Sequence, residues 1–144
     1  MPSRTGEAEW KGDLIGGGGE VSFGSGAFRG AYSFKSRFED ESGSAGTNPE
    51  ELIAAAHAAC YSMALSNGLA SGGHTANRVH TVATVHLVKS DAGFGISGID
   101  LRCEAEVPGI DAEAFQREAE GAKANCPVSK ALAAVEITLE ATLL

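Results

Sequence analysis

Three cysteines, Cys60, Cys103 and Cys126, are the residues of this chain best suited to carry chemistry. Three is an odd number and too few for a secreted disulfide framework, so each is an inert core residue, a metal ligand or a catalytic thiol. Cys126 immediately precedes Pro127, where a helix is predicted to begin. Backbone N–H groups and the helix dipole at such a start favour a thiolate, although an ordinary half-buried thiol also fits there. Cys60 lies within an apolar helical run, with His57 one turn earlier on the same face. A Cys–His pair can generate a thiolate, but a lone histidine on an apolar helix is more often a hydrogen-bonded core residue. Cys103 sits on the apolar side of an alternating strand and reads as a small core hydrophobe.

Metal and phosphate chemistry find less support. His57 and Cys60 are accompanied downstream by His74, His80 and His86, but there is no C-x₂-C pair and no H-E-x-x-H helix. His80 and His86 share a strand face without a third local ligand, so hydrogen-bonded strand histidines are the better reading. Gly16 to Gly19, and Gly24 to Gly30, are not followed by Lys-Ser or Lys-Thr and read as strand turns. No G-x-S-x-G elbow is present. No metal or organic cofactor is expected.

The elements that must position these residues follow from periodicity and capping. Residues 7–13 alternate as a half-buried strand, Gly16 to Gly19 make a turn, and residues 20–27 and 30–36 read as further strands broken by glycines. Residues 39–47 are a polar, flexible loop. Asn48 is a good N-cap, Pro49 suits the first helical position, and Glu51 at N3 fits reciprocal capping. Glu50 and Glu51 favour the positive end of the dipole. The helix then runs to about Leu69, apolar almost all round, which predicts burial on every side. Its many alanines allow close approach of another element, including a second copy of itself.

Residues 78–89 form a strand covered on both faces, Asp91 to Gly95 turn, and residues 96–107 form its hairpin partner. Asp111 caps a helix to about Ala124. A short helix runs from Cys126-Pro127 to about Ala134, and residues 135–143 make a last strand. The order predicts an α+β fold of antiparallel strands packed on helices, in a single domain over 1–144.

With 144 residues and a formal net charge of −8, the chain fits one domain and lacks the basic patch that nucleic acid or an anionic membrane requires. No apolar run approaches the length of a transmembrane helix, and the N-terminus lacks the core of a signal peptide, so a cytoplasmic location is expected.

Three segments taken together resemble the osmotically inducible protein C (OsmC) family: Tyr32-Ser-Phe-Lys-Ser-Arg-Phe-Glu-Asp, Gly46-Thr-Asn-Pro-Glu-Glu-Leu-Ile-Ala-Ala-Ala-His-Ala-Ala-Cys-Tyr-Ser-Met-Ala and Ala124-Asn-Cys-Pro-Val-Ser-Lys-Ala-Leu. The likeness is stronger to the OsmC subgroup than to the organic hydroperoxide resistance subgroup and extends from about Glu7 to the C-terminus. It implies antiparallel sheets around a long buried helix, in an intertwined homodimer that reduces organic hydroperoxides. By that resemblance Cys60 would be the attacking thiolate, Cys126 the resolving thiol, and Arg37, at the end of the early strand, would hold the thiolate while pairing with Glu50. A dithiol, of the lipoyl type that the resemblance suggests, would reduce the resulting disulfide. Glu50 and Cys60 are ten residues apart on one helix, roughly 15 Å of rise, so the Arg37–Glu50 pair would come from the other subunit. Two other classes stay open at this point: a non-enzymatic dimer that binds a small apolar ligand, and a metal-binding protein using His57, Cys60 and other histidines.

Overall fold

A computed structural model describes all residues, Met1–Leu144, which fall into two compact units, Met1–Leu52 and Ile53–Leu144.

The first unit is an antiparallel sheet in the order β1 (Gly6–Lys11), β2 (Gly18–Phe23) and β3 (Arg29–Ser33). The glycine-rich stretch is not all turn: Gly18 and Gly19 are strand residues, with Gly19 paired to both Trp10 and Tyr32. A Cβ on Gly19 would lie 2.6 Å from the Tyr32 ring, so the bare backbone is what lets Trp10 and Tyr32 stack at 5.3 Å.

The expected strand over residues 30–36 stops early. Ser33 accepts from the Ser36 backbone N–H at 3.1 Å, and the Ser36 hydroxyl accepts from the Ser33 N–H at 2.8 Å. This reciprocal cap opens a short helix, α1 (Phe34–Phe38). Arg37 therefore stands on a helix, not at a strand end, because local serine capping outcompetes the sheet for these backbone groups.

The following loop is organised by Asp40, whose carboxylate accepts from the backbone N–H groups of Ser42 and Ala45. Its pKa is held below the ordinary value chiefly by the Ser42 hydroxyl. Gly46 returns the chain to the sheet edge with φ at +130°, and an added Cβ would lie 2.4 Å from the Ala31 carbonyl oxygen. Gly46→Ala is expected to destabilise the protein by about 1–3 kcal/mol through strain and clash, read as a lower urea midpoint with an unchanged slope.

The long helix α2 (Pro49–Ser71) begins where expected. Asn48 Oδ1 accepts from the Glu51 N–H at 2.8 Å, but Glu51 Oε2 takes the Thr47 hydroxyl at 2.6 Å instead of closing the cap on Asn48. Within a single chain its burial is one-sided, where the sequence alone predicts burial on every side. His57, Tyr61, Leu65 and Leu69 are buried, whereas Ala55, Ala56 and Ala59 are exposed and Met63 is 74% exposed.

In the second unit, β4 (Arg78–Ser90) and β5 (Gly93–Glu106) form the expected antiparallel hairpin, with a register shift at His86/Leu87. Helices α3 (Ala112–Asn125) and α4 (Pro127–Ala131) then lead to β6 (Glu136–Leu143), which pairs parallel to β5. The sheet is thus mixed, not purely antiparallel: a two-helix crossover carries the chain back to start beside β5 in the same direction. Asp111 caps α3 as expected, accepting from the Ala114 N–H at 2.8 Å.

Ile99, Leu101, Cys103, Ala105 and Val107 form one buried cluster with Tyr61, Leu65, Leu69, Phe115, Ala119, Ala122 and Cys126. The Tyr61 hydroxyl donates to the Ala119 carbonyl at 3.2 Å, linking α2 to α3. The face of β4 carrying His80, Val82, Thr84, His86 and Val88 is exposed, against the expectation of cover on both sides. No helix is long and apolar enough to cross a membrane.

Candidate active site

The four residues expected at the site form two pairs, one in each unit. In the first, Arg37 donates to Glu50 through two parallel bonds, Nε to Oε2 at 3.1 Å and Nη2 to Oε1 at 2.7 Å. Such a fork fixes both position and plane of the guanidinium. The Glu50 side chain is only 10% exposed and that of Arg37 36%, so the cation keeps an open side. Arg37 also lies 5.1 Å from the centroid of the Phe38 ring. A cavity of about 320 Å³ adjoins it, walled by Trp10, Leu14, Tyr32, Phe34, Phe38 and Pro49. That lining is almost wholly apolar and aromatic.

In the second unit, Cys60 and Cys126 are both free thiols within hydrogen-bonding reach of each other. Cys60 is partly exposed, whereas Cys126 is completely buried. Burial pushes the Cys60 thiol up, and Cys126 adds to that; the Val128 N–H alone opposes it. Burial also works against the Cys126 thiolate. It is outweighed by hydrogen bonds from the Ser129 backbone, the Cys60 thiol, the Ser129 hydroxyl and the Val128 backbone, so Cys126 falls below the ordinary cysteine value. Within one chain the surrounding hydrogen bonds thus favour a thiolate at Cys126, while burial disfavours one at Cys60.

His57 does not pair with Cys60. Its Nε2 lies 2.7 Å from the Ser129 Oγ, with both residues buried. Burial lowers the His57 pKa, so the ring is neutral at physiological pH. Ser129 is the residue that sequence reasoning passed over. Its one available signal was its place three residues after Cys126, inside the Cys-Pro-Val-Ser segment.

The remaining histidines and Cys103 stand elsewhere. His86 Nε2 meets Asp100 Oδ2 at 2.6 Å on an exposed face. The structure contains no group of three or more His, Cys, Asp or Glu side chains able to hold a metal ion. Cys103 is fully buried in the core, and burial raises its pKa.

Two adjacent free thiols in an α+β fold, one accessible and one buried, define a protein whose chemistry is thiol chemistry. The family model described as OsmC-like protein matches residues 40–140. The chain belongs to the OsmC-like family. A relative, peroxiredoxin OsmC of Escherichia coli (strain K12), is 52% identical over 138 residues, covering 95% of this chain and 94% of its own length. Organic hydroperoxide resistance protein OhrA of Bacillus subtilis (strain 168) is 36% identical over 97 residues, covering 65% of this chain and 66% of its own. Among solved structures, an organic hydroperoxide resistance protein from Elizabethkingia anophelis, with crystallant-derived thiocyanate bound, matches with a TM-score of 0.74 at 25% identity, covering 97% of this chain and 96% of that one.

Proposed function

We propose that this chain is a cytoplasmic thiol peroxidase that reduces organic hydroperoxides to alcohols through a two-cysteine cycle. The observation that carries this reading is the meeting of Cys60 and Cys126, far apart in sequence, as adjacent free thiols. The Cys60 thiolate attacks the outer peroxide oxygen, the O–O bond breaks, and the alkoxide leaves as the alcohol after taking a proton. Cys60 becomes a sulfenic acid. Cys126 then attacks its sulfur, releasing hydroxide, protonated to water, and forming a disulfide before over-oxidation occurs. A dithiol reduces that bridge by exchange, becoming a disulfide itself.

Access assigns the roles. Only Cys60 is partly exposed, so it meets the peroxide. Yet its own burial disfavours the thiolate, so it needs a cation. Arg37, oriented by Glu50, is that cation in our reading, and a second copy of the chain supplies it. Ten residues of helix, roughly 15 Å of rise, separate Glu50 from the Cys60 of its own chain. A homodimer is favoured by two further features. Ala55, Ala56, Ala59 and Met63 leave an apolar, small-residue face of α2 uncovered. Every buried hydrophobic residue lies at or beyond Tyr61, so the first unit brings no buried core of its own. The aromatic cavity beside Arg37 suits the organic portion of a hydroperoxide better than it suits hydrogen peroxide.

Titrating thiols in the folded protein before and after one equivalent of cumene hydroperoxide tests the cycle. Loss of two thiols per chain, with one alcohol formed for every two thiols lost, is the expected result. No loss would overturn the peroxidase reading and leave a ligand-binding dimer.

A further inference from the structure

Beneath the thiol pair lies a buried polar contact that the cycle above does not use. His57 is fully buried, its Nε2 is 2.7 Å from the Ser129 hydroxyl, and its Nδ1 is buried without any partner. A neutral imidazole carries one N–H. Placed on Nδ1, that hydrogen would be an orphaned buried donor, a rare and costly arrangement. Placed on Nε2, it donates to Ser129 Oγ and leaves only a bare lone pair on Nδ1. Ser129 Oγ then acts as acceptor toward His57, and its own hydrogen is free to point elsewhere. The Cys126 sulfur is the acceptor within its reach. Cys126 is the N-cap of α4, so the backbone N–H groups of Val128 and Ser129, in the first turn, lie at the same helix end as its sulfur.

We propose that His57 and Ser129 are positioning residues for the reductive half of the cycle: they aim the Ser129 O–H at the Cys126 sulfur, so that Cys126 is the leaving group when a dithiol attacks the disulfide at Cys60. This rests on the two-cysteine reading above. Access gives the same direction, because Cys60 is partly exposed and Cys126 is sealed. A thiolate of the reductant attacks Cys60 Sγ, the Cys60–Cys126 bond breaks, and Cys126 departs with the electron pair toward the Ser129 hydroxyl at the start of α4. The reductant's second thiol, deprotonated, attacks the mixed disulfide. Cys60 leaves with the electron pair, the dithiol ends as a disulfide, and its two protons return to the protein thiols or to solvent. Exchange is faster when the leaving sulfur is the more stable thiolate.

The test separates the two half-reactions. The disulfide is made with diamide, and its reduction by dithiothreitol is followed by acid quench and thiol counting. Oxidation is followed separately with limiting cumene hydroperoxide. Ser129→Ala and His57→Leu are expected to slow reduction about tenfold more than oxidation, while Ser129→Thr and His57→Gln, which keep a hydroxyl and a donor, recover most of it. The thiolate absorbance of reduced Ser129→Ala should titrate at higher pH than that of Ser129→Thr. Unchanged reduction in Ser129→Ala, equal slowing of both halves, or no recovery in the conservative variants would overturn the proposal. A wild-type disulfide that forms with diamide but not with hydroperoxide sinks the peroxidase reading and leaves this one measurable. Failure to form it with diamide sinks both.

Discussion

Cys60→Ser is expected to lose hydroperoxide consumption by at least about 10³-fold, because no other accessible thiolate remains to attack the peroxide. Cys103 is fully buried and held protonated by that burial, and Cys126 is sealed. Cys126→Ser should behave differently. It should still react once with cumene hydroperoxide, then accumulate sulfinic acid at Cys60, visible by mass spectrometry as two added oxygens. The contrast is informative because the hydrogen bonds around the pair favour a thiolate at Cys126, whereas access favours Cys60. If charge outweighed access, the two variants would exchange behaviours. A Cys60→Ser protein that kept the peroxidatic step would reverse the assignment made here.

The second large effect is expected at Arg37. Arg37→Met should slow single-turnover oxidation about 10²-fold and shift its pH profile upward. The direction follows from the charges. The reactive form is the thiolate, present above the Cys60 pKa, so the rate rises with pH through that value. Burial holds Cys60 above the ordinary cysteine range, and the guanidinium supplied by the proposed second copy would lower it. Without the cation the midpoint moves to higher pH, and the loss is largest at neutral and acidic pH. Glu50→Gln should lose less, since the charge remains and only one half of the fork is weakened. Carbamidomethylation of Cys60 against pH measures the same shift without any peroxide. A midpoint unmoved in Arg37→Met would show that the guanidinium does not act on this thiol.

Much of the scaffold was readable because its causes are local. Asn48, Pro49 and the two following glutamates announce α2, since capping and dipole effects act within one turn. Asp111 announces α3 in the same way. The strict alternation of β5 put Cys103 on the inward face and so out of consideration as a reactive thiol. The family's segments carried Cys60, Cys126, Arg37 and Glu50 as candidates. The structure places Arg37 against Glu50 and Cys60 beside Cys126.

What escaped was non-local, or local in an unexpected sense. Arg37 moved from a strand to a helix because Ser33 and Ser36 cap each other, a weaker signal than the alternation around them. The parallel pairing of β6 depends on where a two-helix crossover sets the chain down, which no window of residues encodes.

By itself the chain's order of residues determined the helix starts, the inward faces of the hairpin strands and the two thiols worth watching, because capping and periodicity act over a few residues. Only the tertiary structure decided that His57 meets Ser129 instead of Cys60, and that Cys126 is sealed while Cys60 is open, with donors gathered on the side of the buried sulfur. Those outcomes depend on burial and on hydrogen bonds between α2 and α4, contacts that exist only once the chain has folded.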